Sequence, residues 1–382
     1  MKYNLADICE YAKGKVDVTI LSDDTYISTE NMIPNKGGIT SASSLPAIAQ
    51  TQAFLAGDVL VSNIRPYFKK IWFAEYDGGC SNDVLVFRAK NGVNKRFLYY
   101  VLADDTFFDY SMATSKGTKM PRGDKVAIMK YEVPAFSYEE QGKIAGILEA
   151  LDREIQLNAE INKNLEQQAQ AYFNELFVVN AVPTWSECTL SDIGTIVAGG
   201  TPSKSKPEYY AKQGIAWITP KDLAVDKSKF ISRGANDISE LGFSKSSATK
   251  MPAGTVLFSS RAPIGYIAIA QNEVTTNQGF KSVVPNENIG TAYVYFLLKN
   301  LLPTIEGMAS GSTFKEISGT GMKSVPTIMP DMSTIQRFNI FCEPIFKEQE
   351  VLEAENHRLS ILRDSLLPKL MSGELDISNL DL

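Results

Sequence analysis

Two long stretches of the chain carry apolar residues at alternating three- and four-residue steps. Each begins a few residues after a proline, with a hydroxyl residue followed three positions later by Glu or Gln: Ser137-Tyr-Glu-Glu140 and Ser333-Thr-Ile-Gln336. That arrangement is a capping box, and it predicts two helix starts. After the first box, apolar residues fall at Ile144, Leu148, Leu151, Ile155, Leu165, Ala169, Tyr172 and Leu176, with Asn158 and Asn162 in two of the slots. After the second, the seam runs Phe338, Cys342, Ile345, Leu352, Asn356, Leu359, Leu366 and Leu370. This is the spacing of a coiled coil, and polar residues in such a seam weaken it while fixing its register. Each helix, ~40 residues and roughly 60 Å long at the usual rise per residue, would expose a narrow apolar stripe if left alone. Packing the two together antiparallel is the economical solution. Gly373 suits a C-terminal cap, and Pro368 predicts a kink or irregular last turns.

The stretches before each helix read differently. Residues 1–136 show short β-like runs at Val16–Leu21, Val59–Ile64 and Val84–Arg88, broken by Gly and Pro, with a helix near Lys95–Thr106. Residues 180–331 repeat this with Ile193–Val197, Thr255–Ser260 and Tyr266–Ala270, then a helix near Thr291–Asn300. The repetition extends to the letters. LADI at Leu5–Ile8 returns as LSDI at Leu190–Ile193, and TYISTENM at Thr25–Met32 returns as AWITPKDL at Ala216–Leu223. LAGDVLVSNIRPYF at Leu55–Phe68 is echoed by PAGTVLFSSRAPIG at Pro252–Gly265, matching Gly57 with Gly254 and Arg65 with Arg261. ATSKGTKM at Ala113–Met120 is echoed by MASGSTFKEI at Met308–Ile317. The order is constant and the offset stays between 185 and 197, so the chain is a duplication. A period this long excludes a solenoid. The fold expected is mixed α/β: two similar domains, 1–136 and 180–331, with helices at 137–179 and 332–375 and a tail at 376–382. Two-fold pseudosymmetry with a rigid spacer is what a reader of two separated duplex sites needs.

Composition places the 382 residues among ordinary soluble globular chains, 44% hydrophobic and 21% charged. The first residues hold no apolar run fit for a signal peptide, no apolar stretch reaches membrane-spanning length, and the four cysteines lie far apart without a CxxC pair. These features point to a cytoplasmic protein with reduced thiols and no membrane partner. The net charge of −6 argues against nucleic acid until it is divided. The two helices hold −7, and the globular copies hold 30 bases against 27 acids, with bases gathered in Gly-, Ser- and Pro-rich loops.

A search for chemistry finds little. There is no Walker A motif, GxGxxG, HExxH or GxSxG; the one histidine, His357, sits beside the helix seam. Ser62-Asn-Ile-Arg-Pro-Tyr67 lacks the second proline of an amino-methyltransferase motif. What remains are loops at equivalent places. Arg65 and Arg261 each end a strand before a proline, where an arginine can fork onto guanine or phosphate, or pair with a neighbouring carboxylate. Lys116 and Lys119 in the first copy, and Ser312, Thr313 and Lys315 in the second, lie in Gly-hinged hydroxyl-rich loops suited to phosphate oxygens, or in plain turns. Lys204 belongs to a Thr201–Lys212 insert that the first copy lacks, either a base reader or a disordered loop. No residue is assigned a catalytic or metal-binding role.

The duplicated GDVLVS…R and GTVLFSSR, the Gly311-Ser-Thr313 loop with its weaker counterpart Gly117-Thr118, the EEQGKIAGILEALD and IQRFNIFCEPIF helix starts and the ending LLPKLMSGELDI together resemble the specificity subunit of type I restriction–modification systems. The resemblance spans the whole chain. It implies that each copy is a target recognition domain, that the helices separate the domains and hold partners, and that the subunit itself has no catalytic site and no cofactor. It implies double-stranded DNA as ligand and two modification subunits as partners, which bind S-adenosylmethionine and methylate adenine. A restriction subunit can add ATP-driven translocation and cleavage. Arg65, Lys116, Lys119, Lys204, Arg261, Ser312, Thr313 and Lys315 are then the expected DNA contacts. The other readings left open by the residues are a duplicated scaffold assembled by its coiled coil without DNA binding, and an enzyme with an unrecognised carboxylate site.

Overall fold

The structure, a computed structural model, describes residues 2–311 and 315–375. The chain divides into two units, Met1–Gln156 with His357–Leu382, and Leu157–Asn356, so each long helix gives one segment to each unit. The expected tail at 376–382 lies outside the described residues.

In the first unit, strands Cys9–Tyr11, Val84–Ala89, Val59–Ser62 and Ile71–Phe73 form one antiparallel sheet in that order. A second sheet runs Lys15–Asp17, Gln50–Phe54, Gly78–Cys80 and Tyr26–Ile27, its last pair parallel. The second unit repeats the scheme. Gly194–Ala198, Lys281–Pro285, Val256–Ser260 and Ile264–Ala270 form the first sheet with Phe230–Ile231 added at its edge. Tyr210–Ala211, Asn236–Ile238, Ile215–Ile218 and Thr275–Thr276 form the second, again with one parallel pair. Helices Lys95–Ala103 and Thr291–Met308 cover the first sheets, the latter longer than the sequence suggested and running through Pro303.

The repeated letters turn out to be devices for satisfying backbone. In LADI and LSDI, Asp7 and Asp192 accept the N–H of Asn4 and Thr189, both at 2.8 Å, closing one-turn helices. In TYISTENM and AWITPKDL, Asn31 and Asp222 accept the N–H of Ser28 and Thr219 at 2.6 and 2.7 Å. Gly57 and Gly254 enter the following strands at φ 92° and 82°, a left-handed conformation where a side chain would be strained.

The long helices run Tyr138–Asn174, continuing as a wider turn over Glu175–Val179, and Met332–Ser372. The first starts on the expected capping box: Ser137 N–H donates to Glu140 at 2.6 Å and Glu140 N–H to Ser137 Oγ at 3.2 Å. The second does not. Asp331 caps it instead, accepting Thr334 N–H at 2.9 Å and the Ser333 hydroxyl, because a carboxylate offers two acceptors where Ser333 would offer one. Hydrogen bonds from Ser333 and then Thr334 hold the Asp331 carboxyl well below the usual range. The helix passes through Pro344 and Pro368 and ends at Gly373, φ 74°, where Gly373 N–H reaches Leu370 O and Glu374 N–H reaches Lys369 O. That pairing is a Schellman motif, and it keeps the last turns ordered beyond Pro368.

Within each unit the two helix segments run antiparallel. Ascending the first helix in the second unit, Asn158 meets Glu355, Asn162 O accepts from Gln349, and Phe173 meets Phe338. In the first unit Asp152 meets Arg363 at 2.9 Å, and the Phe136 ring lies beside Gly373. Their ends are built into the domain cores. Ala169, Phe173, Leu176, Ile335, Phe338 and Cys342 join Tyr293, Phe296 and Val256 in one cluster. Ile144, Leu148, Leu367 and Leu370 join Phe97, Val101 and Phe87 in another. Leu151, Ile155 and Leu359, expected in the seam, are half-buried.

The second unit adds a buried ionic joint. Glu166 on the first long helix pairs with Lys229 and Lys299, and the Lys229 ammonium also sits over the rings of Phe346 and Tyr295 at 4.2 and 4.8 Å. Lys229 Nζ donates to Gln349 at 2.6 Å, while the Lys229 and Phe230 N–H groups donate to Glu353. Burial pushes the Glu166 carboxyl up, but the two ammonium groups outweigh it and hold it below the ordinary value. Burial depresses Lys229, and Glu166 offsets this only in part. Cys9, Cys80 and Cys342 are buried free thiols pushed up to about 12 by burial, as reduced core cysteines should be; Cys188 is half-buried.

Removing Glu166 leaves Lys229 without its carboxylate in an aromatic wall. Glu166→Ala should therefore destabilise the second unit by about 3–5 kcal/mol, whereas Arg363→Ala, whose pair with Asp152 is partly solvated, should cost about 1 kcal/mol or less. Because the folded-state pKa of Glu166 is depressed, its contribution is present above the unfolded carboxylate pKa and lost as pH falls through the folded value. Denaturant melts of both variants, and of the parent between pH 7 and pH 3, check this.

Candidate nucleic-acid interface

At the end of the strands Val59–Ser62 and Val256–Ser260 the chain is clamped the same way in both units. Asn63 N–H donates to Asp83 O at 2.8 Å and Asn63 O accepts from Gly123 N–H at 3.2 Å. Ser260 N–H donates to Gly279 O at 2.7 Å and Ser260 O accepts from Ile317 N–H at 3.1 Å. The loops that follow the helices close alike, through paired N–H···O bonds between Lys116 and Arg122 and between Ser310 and Glu316. Arg65 and Ala262 are both left-handed, φ 50° and 53°, each just before a proline. The backbone thus counts Arg65 against Ala262 and Arg261 against Ile64. The sequence match of Arg65 with Arg261 is off by one, because identical letters outweighed the register set from Gly57 and Gly254.

Beside each clamp lies a cleft built from the same segments. In the first unit, about 470 Å³ is lined by Tyr26, Ser28–Asn31, Thr40–Pro46, Ser81 and Asp83. In the second, about 630 Å³ is lined by Trp217, Thr219, Pro220, Lys221, Asn236 and Asn277–Gly279, with Arg261 and Ala262. Tyr26 and Trp217 are equivalent floor residues: their strands pair in parallel with Gly78–Cys80 and Thr275–Thr276, which lead to the clamp residues Asp83 and Gly279, and Trp217 Nε1 donates to Gly200 O at 3.0 Å. The insert that the sequence left ambiguous forms one wall of the second cleft, through Thr201, Lys204 and Tyr210, and the Tyr210 hydroxyl donates to Pro202 O at 2.8 Å.

The lining chemistry differs. The first cleft is hydroxyl-rich and carries Glu30 and Asp83; the second carries Lys204, Lys221 and Arg261 with the three amides of Asn236, Asn277 and Gln278. The ion pairs at the clamps are reversed in sign. Arg122 pairs with Asp83 at 3.1 Å in the first unit, whereas its equivalent Glu316 takes Arg261 at 3.2 Å and Lys281 at 3.6 Å in the second.

Of the expected contact residues, Lys204 and Arg261 come together at the second cleft. Lys315 is exposed on the adjoining loop; Ser312 and Thr313 lie outside the described residues. In the first unit Arg65 and Lys119 are exposed but do not line the cleft, and Lys116 is engaged with Asp124 at 2.6 Å. The hydrogen bond from Lys116, with those from the Ala127 and Val126 amides, lowers Asp124 to about 2, and Asp124 in turn raises Lys116. Sequence reasoning missed Glu30, Asp83, Arg122, Lys221, Asn277 and Gln278. The signal for two of them was present, since the TYISTENM repeat sets Glu30 against Lys221. His357 is exposed on its helix. Among the described residues no group of three potential metal ligands occurs, and no helix is long and apolar enough to cross a membrane.

The sequence profile of the type I restriction modification DNA specificity domain matches residues 1–167 and again 183–351. The chain belongs to this family. It is 25% identical over 460 aligned positions to the HindI specificity subunit of Haemophilus influenzae, covering 98% of this chain and 99% of that one. It is 37% identical over 190 residues to the MjaIX specificity subunit of Methanocaldococcus jannaschii, a match that spans 47% of this chain and 44% of that relative. Among solved structures, the S subunit of a type I system from M. genitalium superposes with a TM-score of 0.64 at 17% identity, covering 97% and 96% of the two chains, a likeness of fold. The two profile matches fall on the two repeats. Membership makes the chain a non-catalytic component that supplies DNA sequence specificity to a type I restriction–modification system.

The specificity domains make two side chains testable at once. Arg261, steered by Glu316 to the rim of the second cleft, should on change to Ala either relax one position of a bound site or weaken all duplexes alike, which distinguishes base from phosphate contact. Lys315→Ala should weaken binding uniformly and flatten the salt slope by about one unit. Fluorescence titrations over a range of salt, with both variants indistinguishable from the parent, would remove these residues from the interface.

Proposed function

We propose that this chain reads a bipartite, asymmetric duplex DNA site, one half with each cleft and its clamped loop, and so positions adenine-methylating subunits on it. The observation that carries this is the recurrence of one cleft in both units, built from the same backbone segments but lined by different side chains. A shared frame with unlike linings is what two unlike half-sites require, with centres about one helical turn apart. Arg65, Lys116, Lys119, Lys204, Arg261, Ser312, Thr313 and Lys315 supply positive charge and hydroxyls for the bases and phosphates of each half-site. S-adenosylmethionine, and ATP where a restriction subunit joins, belong to the partner chains.

The long helices suit proteins better than DNA. Their combined charge of −7 would be repelled by phosphates, and they expose apolar residues such as Ile340, Ile361 and Val351. The duplication offers one equivalent surface for each of two modification subunits, in a cytoplasmic complex.

Exchanging residues 180–331 for the same domain of a relative, in the complex with the modification subunits, should change one half of the methylated sequence and leave the other intact. Sequencing of modified adenines reads the result; a change in both halves or in neither would defeat the modular reading. Leu151→Glu with Leu359→Glu should abolish methylation while the β-rich domains keep their far-ultraviolet circular dichroism. Retained methylation of the same site would remove the helices from the assembly role.

A further inference from the structure

Glu30 and Lys221 stand at equivalent positions with opposite charge, Glu30 in the turn after its strand and Lys221 in the first turn of the short helix Pro220–Val225. Each follows its floor strand and is fixed by the residue next in sequence. Asn31 accepts Ser28 N–H and donates to Tyr26 O and Thr40 O, and Asp222 accepts the N–H groups of Thr219 and Ala235. In the first unit Lys70 adds a hydrogen bond to Thr29 O at 2.6 Å. These bonds fix the backbone of both turns at the cleft. The charged tips are exposed, and neither Glu30 nor Lys221 makes a salt bridge among the described residues. Asp83, by contrast, is occupied by Arg122, and Arg261 by Glu316.

We propose that the two clefts read opposite hydrogen-bonding polarities: Glu30 accepts from an exocyclic amino group, of cytosine or adenine, in one half-site, and Lys221 donates to the acceptor edge of guanine in the other. This rests on the clefts facing DNA, as argued above. An unpaired carboxylate held against a duplex is repelled by phosphates, so a rigid turn that presents one gains only where a base offers a donor, and carboxylates in the major groove accept from such amino groups. The guanine edge presents O6 and N7 acceptors, which repel Glu30 and attract Lys221. The two side chains therefore select by exclusion as much as by attraction. The swap at one column of the duplication makes the half-sites differ, while the residue next in sequence, Asn31 or Asp222, holds each tip in place.

The test uses the full chain with its modification subunits. Modified adenines are mapped for the parent, Glu30→Ala and Lys221→Gln, and binding to the parent duplex is titrated alongside. Both positions are exposed, so folding is not at stake. Glu30→Ala should relax, by about tenfold or more in preference, one position of the first half that is cytosine or adenine in the parent, and which of the two is lost identifies the donor. Lys221→Gln should relax a guanine in the second half, with Gln favouring adenine there. Glu30→Lys should move the first position toward guanine. The proposal is overturned if the parent motif persists unrelaxed in both Glu30→Ala and Lys221→Gln while duplex binding is retained, or if Glu30→Ala relaxes a guanine. Binding by the parent that is indifferent to sequence and to salt would instead overturn the DNA-reading function itself.

Discussion

Neither long helix can bury its apolar stripe by itself, and neither α/β domain closes its core without helix ends from both. Phe173 and Leu176 from one helix and Phe338 and Cys342 from the other fill the wall beneath Tyr293 and Phe296, while Ile144, Leu148, Leu367 and Leu370 do the same beneath Phe97 and Val101. Domain and spacer are therefore one folding unit at each end. Anything attached to the helices is attached rigidly to a cleft. The Glu166 joint adds orientation to this packing. A carboxylate shared by two lysines and set among aromatic rings tolerates little rotation, because any shift leaves a buried charge uncompensated.

Much of the architecture was legible because it is enforced locally. Capping residues, the glycines at positive φ and the seam spacing act within a few residues of themselves, so Ser137, Gly57, Gly254 and Gly373 could be read directly. The misreadings share a cause. Asp331 took the second cap from Ser333, and the register put Arg65 against Ala262, where several local partners competed and geometry rather than residue type decided. The clefts were not legible as sites, since each is assembled from segments some fifty residues apart whose polar side chains look like ordinary turn residues. Searching the globular parts for basic residues also hid Glu30 and Asp83, which carry the sign opposite to the one sought.

The acidic total is compatible with a DNA reader because the charge is partitioned. Carboxylates on the helices face away from the task of meeting phosphate, and within the domains several bases are spent on internal pairs, such as Lys36 and Lys69 with Asp105 or Arg88 with Asp58. What distinguishes the surface near the clefts is which charges remain unpaired rather than how many there are. Lys116, prominent in the sequence, is partnered by Asp124. Lys221, inconspicuous there, is not partnered among the described residues.

The clamp beside each cleft is held in both units by peptide groups: Asn63 or Ser260 in the middle, Asp83 or Gly279 on one side and Gly123 or Ile317 on the other, with the Ser260 hydroxyl adding a bond to Gly279 O. Amides do not depend on which side chain they bear, so the partly or fully exposed residues that flank this frame can change while its peptide hydrogen bonds are kept. Arg122 can become Glu316, and Ile64 can become Arg261, with the same hydrogen bonds kept. If the clefts read DNA as proposed, such positions let the recognised sequence change while the frame that presents it stays the same.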